Sequence, residues 1–311
     1  PLASRGAACG IAAGAMDECV SMDGSRVWDI GTDIGGTFTD IIAVHAGGAD
    51  TRIAKVPSRP DAPVTAMMEA LAAVGLGPDD VRRFVHGTTR VTNALVEERL
   101  PKVALVATAG FEDVLEIARY RRQDLYRLDV RPKAPPLVPL ELCFGIAERM
   151  DSAGAVLEPL AEAEIDRLIV WLKANAVESV AVCLLHSYAN PAHEKRLAER
   201  LAGVVPHLCL SHEINPEARE YERASTTAFN AAAMPIAVTY LTELEERLPI
   251  GAGLQVFHSA GAMVPVPAVK RRPLVMAMSG PAAGVAASVR IARDLGLPRV
   301  HLRLQRIAPD R

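Results

Sequence analysis

Aromatic residues are scarce, 4% of 311 residues with two Trp, five Tyr and six Phe. Ring packing is therefore not the main source of the core. Ala and Val must fill it, which favours helices lying close on sheets. A strong charge of one sign is also missing. The formal charge is -3 at pH 7, so no basic field is present and nucleic acid is excluded as the main partner. The local basic clusters Arg119–Arg122 and Lys270–Arg272 read as solvated loops. The five cysteines Cys9, Cys19, Cys143, Cys183 and Cys209 are odd in number, far apart and form no CxxC pair. That pattern fits reduced, buried thiols of a cytoplasmic protein, with nothing local that would activate a catalytic one. No apolar run reaches the roughly 18 to 20 residues of a membrane helix, so no membrane partner is expected. His186, His193, His207, His212 and His258 lack metal-ligand spacing and read as structural or surface residues. Residues 1–25 are rich in Ala, Gly and Ser without the pattern of a signal peptide. They are expected to be a disordered or non-native leader outside the fold.

Half the chain is hydrophobic, enough for a sizeable core. Strands are expected at Arg26–Thr32, Phe38–His45, Thr51–Val56, Arg83–His86, Lys102–Thr108, Phe144–Asp151, Ser179–Leu185, His207–Ser211 and Leu254–His258. Helices are expected at Pro63–Val74, Thr89–Glu98, Phe111–Ala118, Glu158–Asn175, Pro191–Leu201 and Gly280–Leu295, with Arg131–Pro139 a loop. Glu217–Ala233 and Ile236–Leu248 read as two helices split by Pro235. The alternation predicts α/β architecture with a mostly parallel sheet. A boundary is expected near Pro206–Pro216, giving domains over 26–210 and 211–298 and an aberrant basic tail over 299–311.

Chemistry concentrates first in Asp33-Ile-Gly-Gly-Thr-Phe-Thr-Asp40. Two strands flank a glycine turn whose N–H groups approach a ligand, with Thr37 and Thr39 as hydroxyl donors and Asp33 placed to hold Mg²⁺ or its waters. Donors plus an acid make a polyphosphate site, neither a Walker loop nor a dinucleotide fingerprint. In His86-Gly-Thr-Thr-Arg-Val-Thr-Asn-Ala-Leu95 a strand, a glycine and a helix start bring Thr88, Thr89, Thr92 and Asn93 together. An anion site and a well-capped helix with a buried histidine are both open readings. Ser279-Gly-Pro-Ala-Ala-Gly-Val285 opens a small-residue helix, suited to a ligand or to tight helix packing. Arg223, Ser225, Thr226 and Asn230 form a polar set on an apolar helix, facing a cleft or satisfying helix contacts.

These three segments, with Asn190-Pro-Ala-His-Glu194 and Glu220-Tyr-Glu-Arg-Ala-Ser-Thr-Thr227, resemble the hydantoinase A and 5-oxoprolinase family over about Val27–Pro298. The resemblance implies the N-terminal half of an actin-like (ribonuclease H-like) ATPase fold, with ATP and Mg²⁺ as cofactors. It implies ATP-driven opening of a cyclic amide such as hydantoin, N-methylhydantoin or 5-oxoproline through phosphorylation of the carbonyl oxygen. A B-type subunit is the implied partner, and an oligomer the implied full-length form. On this reading Asp33 serves Mg²⁺, while Gly35, Gly36, Thr37, Thr39, Ser279 and Gly280 serve the nucleotide. His86, Thr88, Thr89 and Asn93 stand near substrate or phosphate. An acetone or acetophenone carboxylase subunit and a non-catalytic nucleotide-binding module are the alternatives. The family's second Asp-x-Gly-Gly-Thr turn is expected after the Ser279 helix. Pro298–Arg311 lacks it, so the chain by itself is expected to be an incomplete, nearly inactive enzyme.

Overall fold

The computed structural model describes residues 26–302 apart from 49, 98, 120–125, 127–128, 130–132 and 251–252. The leader over 1–25 with Cys9 and Cys19, Arg121 and Arg122 of the first basic cluster, the start of the loop at Arg131 and residues 303–311 of the tail lie outside the described residues.

Strand β1 (Trp28–Ile34) alternates strictly, with Trp28, Ile30, Thr32 and Ile34 buried and Asp29, Gly31 and Asp33 on the other face. Its antiparallel neighbour β2 (Phe38–His45) repeats the period, burying Thr39, Ile41 and Ala43. β3 (Thr51–Pro57) forms the edge. Helix α1 (Pro63–Ala73) starts on a proline and lays Val64, Met67, Ala70 and Leu71 on the buried face. β4 (Val81–Thr88) then returns parallel to β1, and the short α2 (Arg90–Val96) follows.

A second sheet begins with β5 (Val103–Thr108), followed by α3 (Val114–Ile117), β6 (Cys143–Ile146) and a small hairpin of β7 (Arg149–Met150) and β8 (Val156–Glu158). It continues through α4 (Glu162–Ala174), β9 (Ser179–Cys183), α5 (Ala192–Leu201), β10 (His207–Leu210) and α6 (Ser211–Ile214). Its order is β10-β9-β5-β6, all parallel, and every residue of β5 and β9 is buried. Strands covered on both faces need no polar side, so they read as continuous apolar runs. Ile165, Leu168, Leu172 and Leu197 of α4 and α5 cover one face, and Ala224, Ala228, Ala231 and Ala232 cover the other.

Those alanines belong to α7 (Glu220–Arg247), a single helix of 28 residues. Beyond Ala232 the same helix crosses to the first sheet, where Ala233, Ala237, Tyr240, Leu241 and Leu244 join its core. This corrects the expected split at Pro235. Proline lacks the N–H that would bond Ala231, four residues earlier. The Ser179 hydroxyl of β9 donates to that Ala231 carbonyl instead, at 2.6 Å in a fully buried position. With its orphan acceptor satisfied, the helix runs on.

β11 (Leu254–Phe257), β12 (Met263–Pro265), α8 (Val266–Arg271) and α9 (Ser279–Asp294) complete the chain. β11 adds parallel to β4, so the first sheet reads β12-β11-β4-β1-β2-β3. That sheet is mixed rather than mostly parallel, with antiparallel pairs β1–β2, β2–β3 and β11–β12. The expected strand over Phe144–Asp151 is two strands, and β4 extends through Gly87 and Thr88, past its expected end at His86. None of the described helices is long and apolar enough to cross a membrane.

Candidate functional site

The turn between β1 and β2 is held from behind. Gly35 N donates to Phe38 O at 3.0 Å, and Ser58 N donates to Thr37 O at 2.9 Å. The Ser58 hydroxyl donates to Gly35 O at 2.8 Å, and the buried Thr39 hydroxyl donates in turn to Ser58 Oγ at 3.1 Å. The carbonyls of Gly35 and Thr37 are thereby occupied, while the N–H groups of Gly36 and Thr37 take no partner among the described residues. A Cβ built on Gly36 would meet nothing within 4 Å. The glycine leaves open space where paired N–H groups form an anion-binding concavity. Thr39 supports the turn through Ser58. Ser58 escaped the sequence reading because it lies in a different segment, and only the fold brings it to the hairpin.

Asp33 stands on the uncovered face of the sheet, opposite Asp40 on β2 and beside Gly87 on β4. A Cβ at Gly87 would lie 3.3 Å from Asp33 Oδ1, so the glycine leaves that carboxylate its seat. Asp40 is paired with Lys55 at 2.8 Å. Asp33 has no ion pair or hydrogen bond from its side chain among the described residues. Partial burial, and then the charge of Asp40, raise its carboxyl above the ordinary value. An unpaired carboxylate beside a second one fits a hydrated divalent cation. No group of three or more His, Cys, Asp or Glu that could hold a metal occurs among the described residues. A Mg²⁺ here would take its other ligands from water and phosphate.

His86 lies inside the core. It is fully enclosed, with Nδ1 hydrogen-bonded to Thr32 Oγ1 at 3.0 Å and Nε2 to the Tyr240 hydroxyl at 2.5 Å. Burial pushes its pKa down to about 3, so it is a neutral core residue. Thr89 donates to Ile34 O from both N and Oγ1, at 3.4 and 3.3 Å, and Asn93 Nδ2 donates to Thr89 Oγ1 at 3.3 Å. Arg90 N donates to Thr88 Oγ1 at 3.2 Å. The start of α9 docks on this knot: the Ser279 hydroxyl donates to Thr88 O at 3.3 Å and Met278 N donates to Thr92 Oγ1 at 3.0 Å.

A cleft of about 530 Å³ lies between the hairpin turn, the end of β3 and α2. Gly35, Gly36, Thr88, Thr89 and Asn93 line it, together with Ser58, Arg59 and Arg90, which the sequence reading did not single out. Asp33, Thr37, Thr39, His86, Ser279 and Gly280 are not among its lining residues. A larger groove of about 700 Å³, lined by Phe111, Arg119, Tyr221 and Glu222, contains none of the hairpin or α2 residues and is crossed by the Arg119–Glu222 pair at 2.7 Å.

The remaining motifs tie the second sheet together. Asn190 Oδ1 accepts from Ala192 N at the start of α5, and His193 contacts Glu148 at 2.7 Å. The enclosed Glu194 accepts from Leu184 N, Ser211 Oγ and His212 N. Arg223 donates to Leu184 O at 2.8 Å and Asn230 to Cys209 Sγ and Arg271 O. Arg223 and Asn230 of that polar set therefore join α7 to its neighbours, while Thr226 Oγ1 donates to Glu222 O within the helix. The thiols are correspondingly inert: burial raises Cys183 and pushes Cys143 and Cys209 up to about 12.

Residues 29–205 match the family described as Hydantoinase/oxoprolinase N-terminal region, and residues 223–300 match Hydantoinase/oxoprolinase. The chain belongs to the hydantoinase/oxoprolinase family. Within it, an uncharacterized protein of Methanocaldococcus jannaschii is 36% identical over 278 residues, covering 86% of this chain and 40% of that protein. Caprolactamase subunit alpha of Pseudomonas jessenii is 34% identical, covering 87% and 41%. The acetophenone carboxylase gamma subunit of Aromatoleum aromaticum is 30% identical, covering 92% and 42%. The crystal structure of the ATP-dependent caprolactamase from Pseudomonas jessenii superposes with a TM-score of 0.74 at 33% identity, over 86% of this chain and 41% of that one. Nucleotide-free acetone carboxylase gives 0.74 at 26% identity, over 87% and 41%. This hydantoinase/oxoprolinase chain thus spans about 40% of the length of the relatives it matches. Its mixed and parallel sheets agree with the α/β, actin-like ATPase-type fold expected of it.

Proposed function

We propose that this chain carries a nucleotide-phosphate site of an ATP-dependent cyclic-amide hydrolase, acting on a lactam or hydantoin with Mg²⁺. The carrying observation is the Gly36–Thr37 turn, whose N–H groups take no partner among the described residues, at the end of the strand that carries the Asp33 carboxylate, itself without an ion pair among them. Two structural relatives described as ATP-dependent support the nucleotide. ATP supplies a phosphoryl group that converts the amide oxygen into a good leaving group. This chain's contribution is electrostatic. Gly36 and Thr37 N–H groups hold phosphate oxygens, Asp33 holds the cation with its waters, and Ser58 and Thr39 keep the turn rigid. Thr88, Thr89 and Asn93 line the neighbouring cleft, and the Ser279–Gly280 start of α9 braces it from β4. Domains over 26–210 and 211–298, a cytoplasmic location, a B-type partner subunit and a full-length oligomer complete the proposal. Relatives named as subunits favour the partner.

The test is calorimetric titration with ATP, with and without Mg²⁺, followed by phosphate release in the presence of cyclic amides. Absence of Mg²⁺-dependent ATP binding would sink the reading. A carboxylase-type role has support of its own in the carboxylase relatives. Turnover that requires bicarbonate and forms a carboxylated product would select it.

A further inference from the structure

The first sheet ends at an open edge. β3 has a strand neighbour only in β2, and the backbone groups on its other side take no partner among the described residues. Such an edge is a template for another strand unless something blunts it. The usual devices are missing or disarmed here. The register against β2 runs unbroken from Thr51 to Pro57, so no bulge bends the strand away, and its one proline is its last residue. Lys55 is held by Asp40 at 2.8 Å, with its Nζ 5.0 Å from the centre of the Phe38 ring. Arg52 is turned back on its own sheet. Its Nη1 donates to Val74 O at 2.9 Å, its Nε pairs with Asp50 at 3.1 Å, and its guanidinium carbon lies 4.4 Å from the centre of the Trp28 ring. Both cations of the edge are therefore engaged within the chain. Between them Ile53 is 75% exposed. Ile42 lies opposite it on β2, and Phe38 and Val44 continue the same face, all three exposed. This apolar strip runs out to the open edge, where an added strand would extend it.

The sequence of β3 selects its own copy as that strand. A strand pairs with itself antiparallel about a two-fold axis, and the two-fold closes the assembly at two chains. Directly opposed residues share a face of the sheet, so the axis must pass through a residue. On Arg52 or Lys55 it would oppose two like charges, and on Ala54 it would set Ile53 against Lys55. On Ile53 it sets Ile53 against Ile53, Thr51 against Lys55 and Arg52 against Ala54. No like charges then meet, and the strips of Ile42 and Ile53 from the two copies join into one. We propose that β3 is the interface through which two copies of this chain form one continuous sheet. Ser58 follows the strand and braces the Gly35 turn, so antiparallel pairing sends the two turns to opposite ends of the joined sheet. The assignment does not depend on what those turns bind.

The experiment is light scattering after size-exclusion chromatography of the full chain over a concentration series, with hydrogen exchange read on residues 51–57. The wild-type chain is expected to pass from monomer to dimer as concentration rises, and the β3 amides to exchange more slowly as it does. Ile53→Lys puts two ammonium groups on the axis and is expected to weaken the dimer by about tenfold or more. Ile53→Thr keeps the branched shape and is expected to weaken it less. Val170→Lys, at a 70% exposed position of α4, is expected to leave it intact. Melting curves of dilute samples that overlay the wild type's show that the fold is kept, and Ile53→Thr carries the test where the lysine variant does not fold. A wild-type chain that stays monomeric throughout the series overturns the proposal. So does a dimer whose β3 amides exchange at the monomer's rate, one that Ile53→Lys leaves unchanged, or one lost equally in Val170→Lys.

Discussion

Replacing Ser179 by Ala tests how α7 passes through Pro235. The hydroxyl removed is fully buried and donates at 2.6 Å to the Ala231 carbonyl, the acceptor that Pro235 leaves without an N–H. No water reaches Ser179, so the substitution strands a buried acceptor, at about 1–3 kcal/mol. The methyl of alanine fits where the serine stood, so a cavity adds little. The diagnostic measurement is a double-mutant cycle with Pro235→Ala. Alanine at 235 restores the N–H, the helix satisfies Ala231 internally, and the serine becomes dispensable. Urea unfolding followed by far-ultraviolet circular dichroism is expected to show Ser179→Ala costing about 2 kcal/mol in the Pro235 background. In the Pro235→Ala background it should cost at least about 1 kcal/mol less, a coupling within the usual range for contacting residues. Unchanged m-values are required for the comparison. Equal losses in both backgrounds, or a first loss below about 0.5 kcal/mol, would refute the reasoning.

Asp33→Asn is expected to weaken Mg²⁺-ATP binding by about tenfold or more, while ATP without metal binds as to wild type; a metal-independent loss in calorimetry would count against a cation role. Gly87→Ala places a methyl 3.3 Å from Asp33 Oδ1, so it should lower Mg²⁺-ATP affinity with little change in melting temperature, and unchanged affinity would show that the carboxylate seat is unimportant. His86 keeps its neutral form down to about pH 3, against 6.5 for the free side chain. Its pKa is depressed by folding, so below 6.5 the unfolded chain takes up a proton that the folded chain refuses. Stability from this residue is complete above pH 6.5 and falls by about 1.4 kcal/mol per unit as pH drops towards 3. Unfolding free energies measured from pH 7 to 4 should therefore show a slope that His86→Gln reduces.

Local signals were legible wherever period and punctuation agreed. β2 has the expected bounds, Phe38–His45, because alternating apolar residues lie between a glycine turn and Gly47–Gly48. The hairpin's open N–H groups follow from Gly35 and Gly36, whose role is local. The misreadings depended on residues distant in the chain. Pro235 reads as a helix break until Ser179, far upstream, is seen to satisfy Ala231. His86 stands in a motif with Thr88 and Thr89, and its partners Thr32 and Tyr240 come from distant segments. Arg90 sits inside the same motif, and the Tyr240 ring and the Pro60 carbonyl beside it come from distant segments. Arg223 and Asn230 are likewise polar residues whose partners Leu184 and Arg271 lie in distant segments of the chain.

Sharing one helix between two sheets also sets the order in which the chain can acquire its structure. Strands β1 to β4 are synthesised long before Ala233, Tyr240 and Leu244 exist to cover them, and the sheet's neighbour for β4 is not made until Leu254–Phe257. β5 and β9 wait in the same way for Ala224–Ala232. Both cores therefore close late and together, and until residue 247 has left the ribosome the nascent chain exposes two apolar sheet faces at once. The same helix that gives the mature molecule a common spine leaves its unfinished form dependent on protection during synthesis.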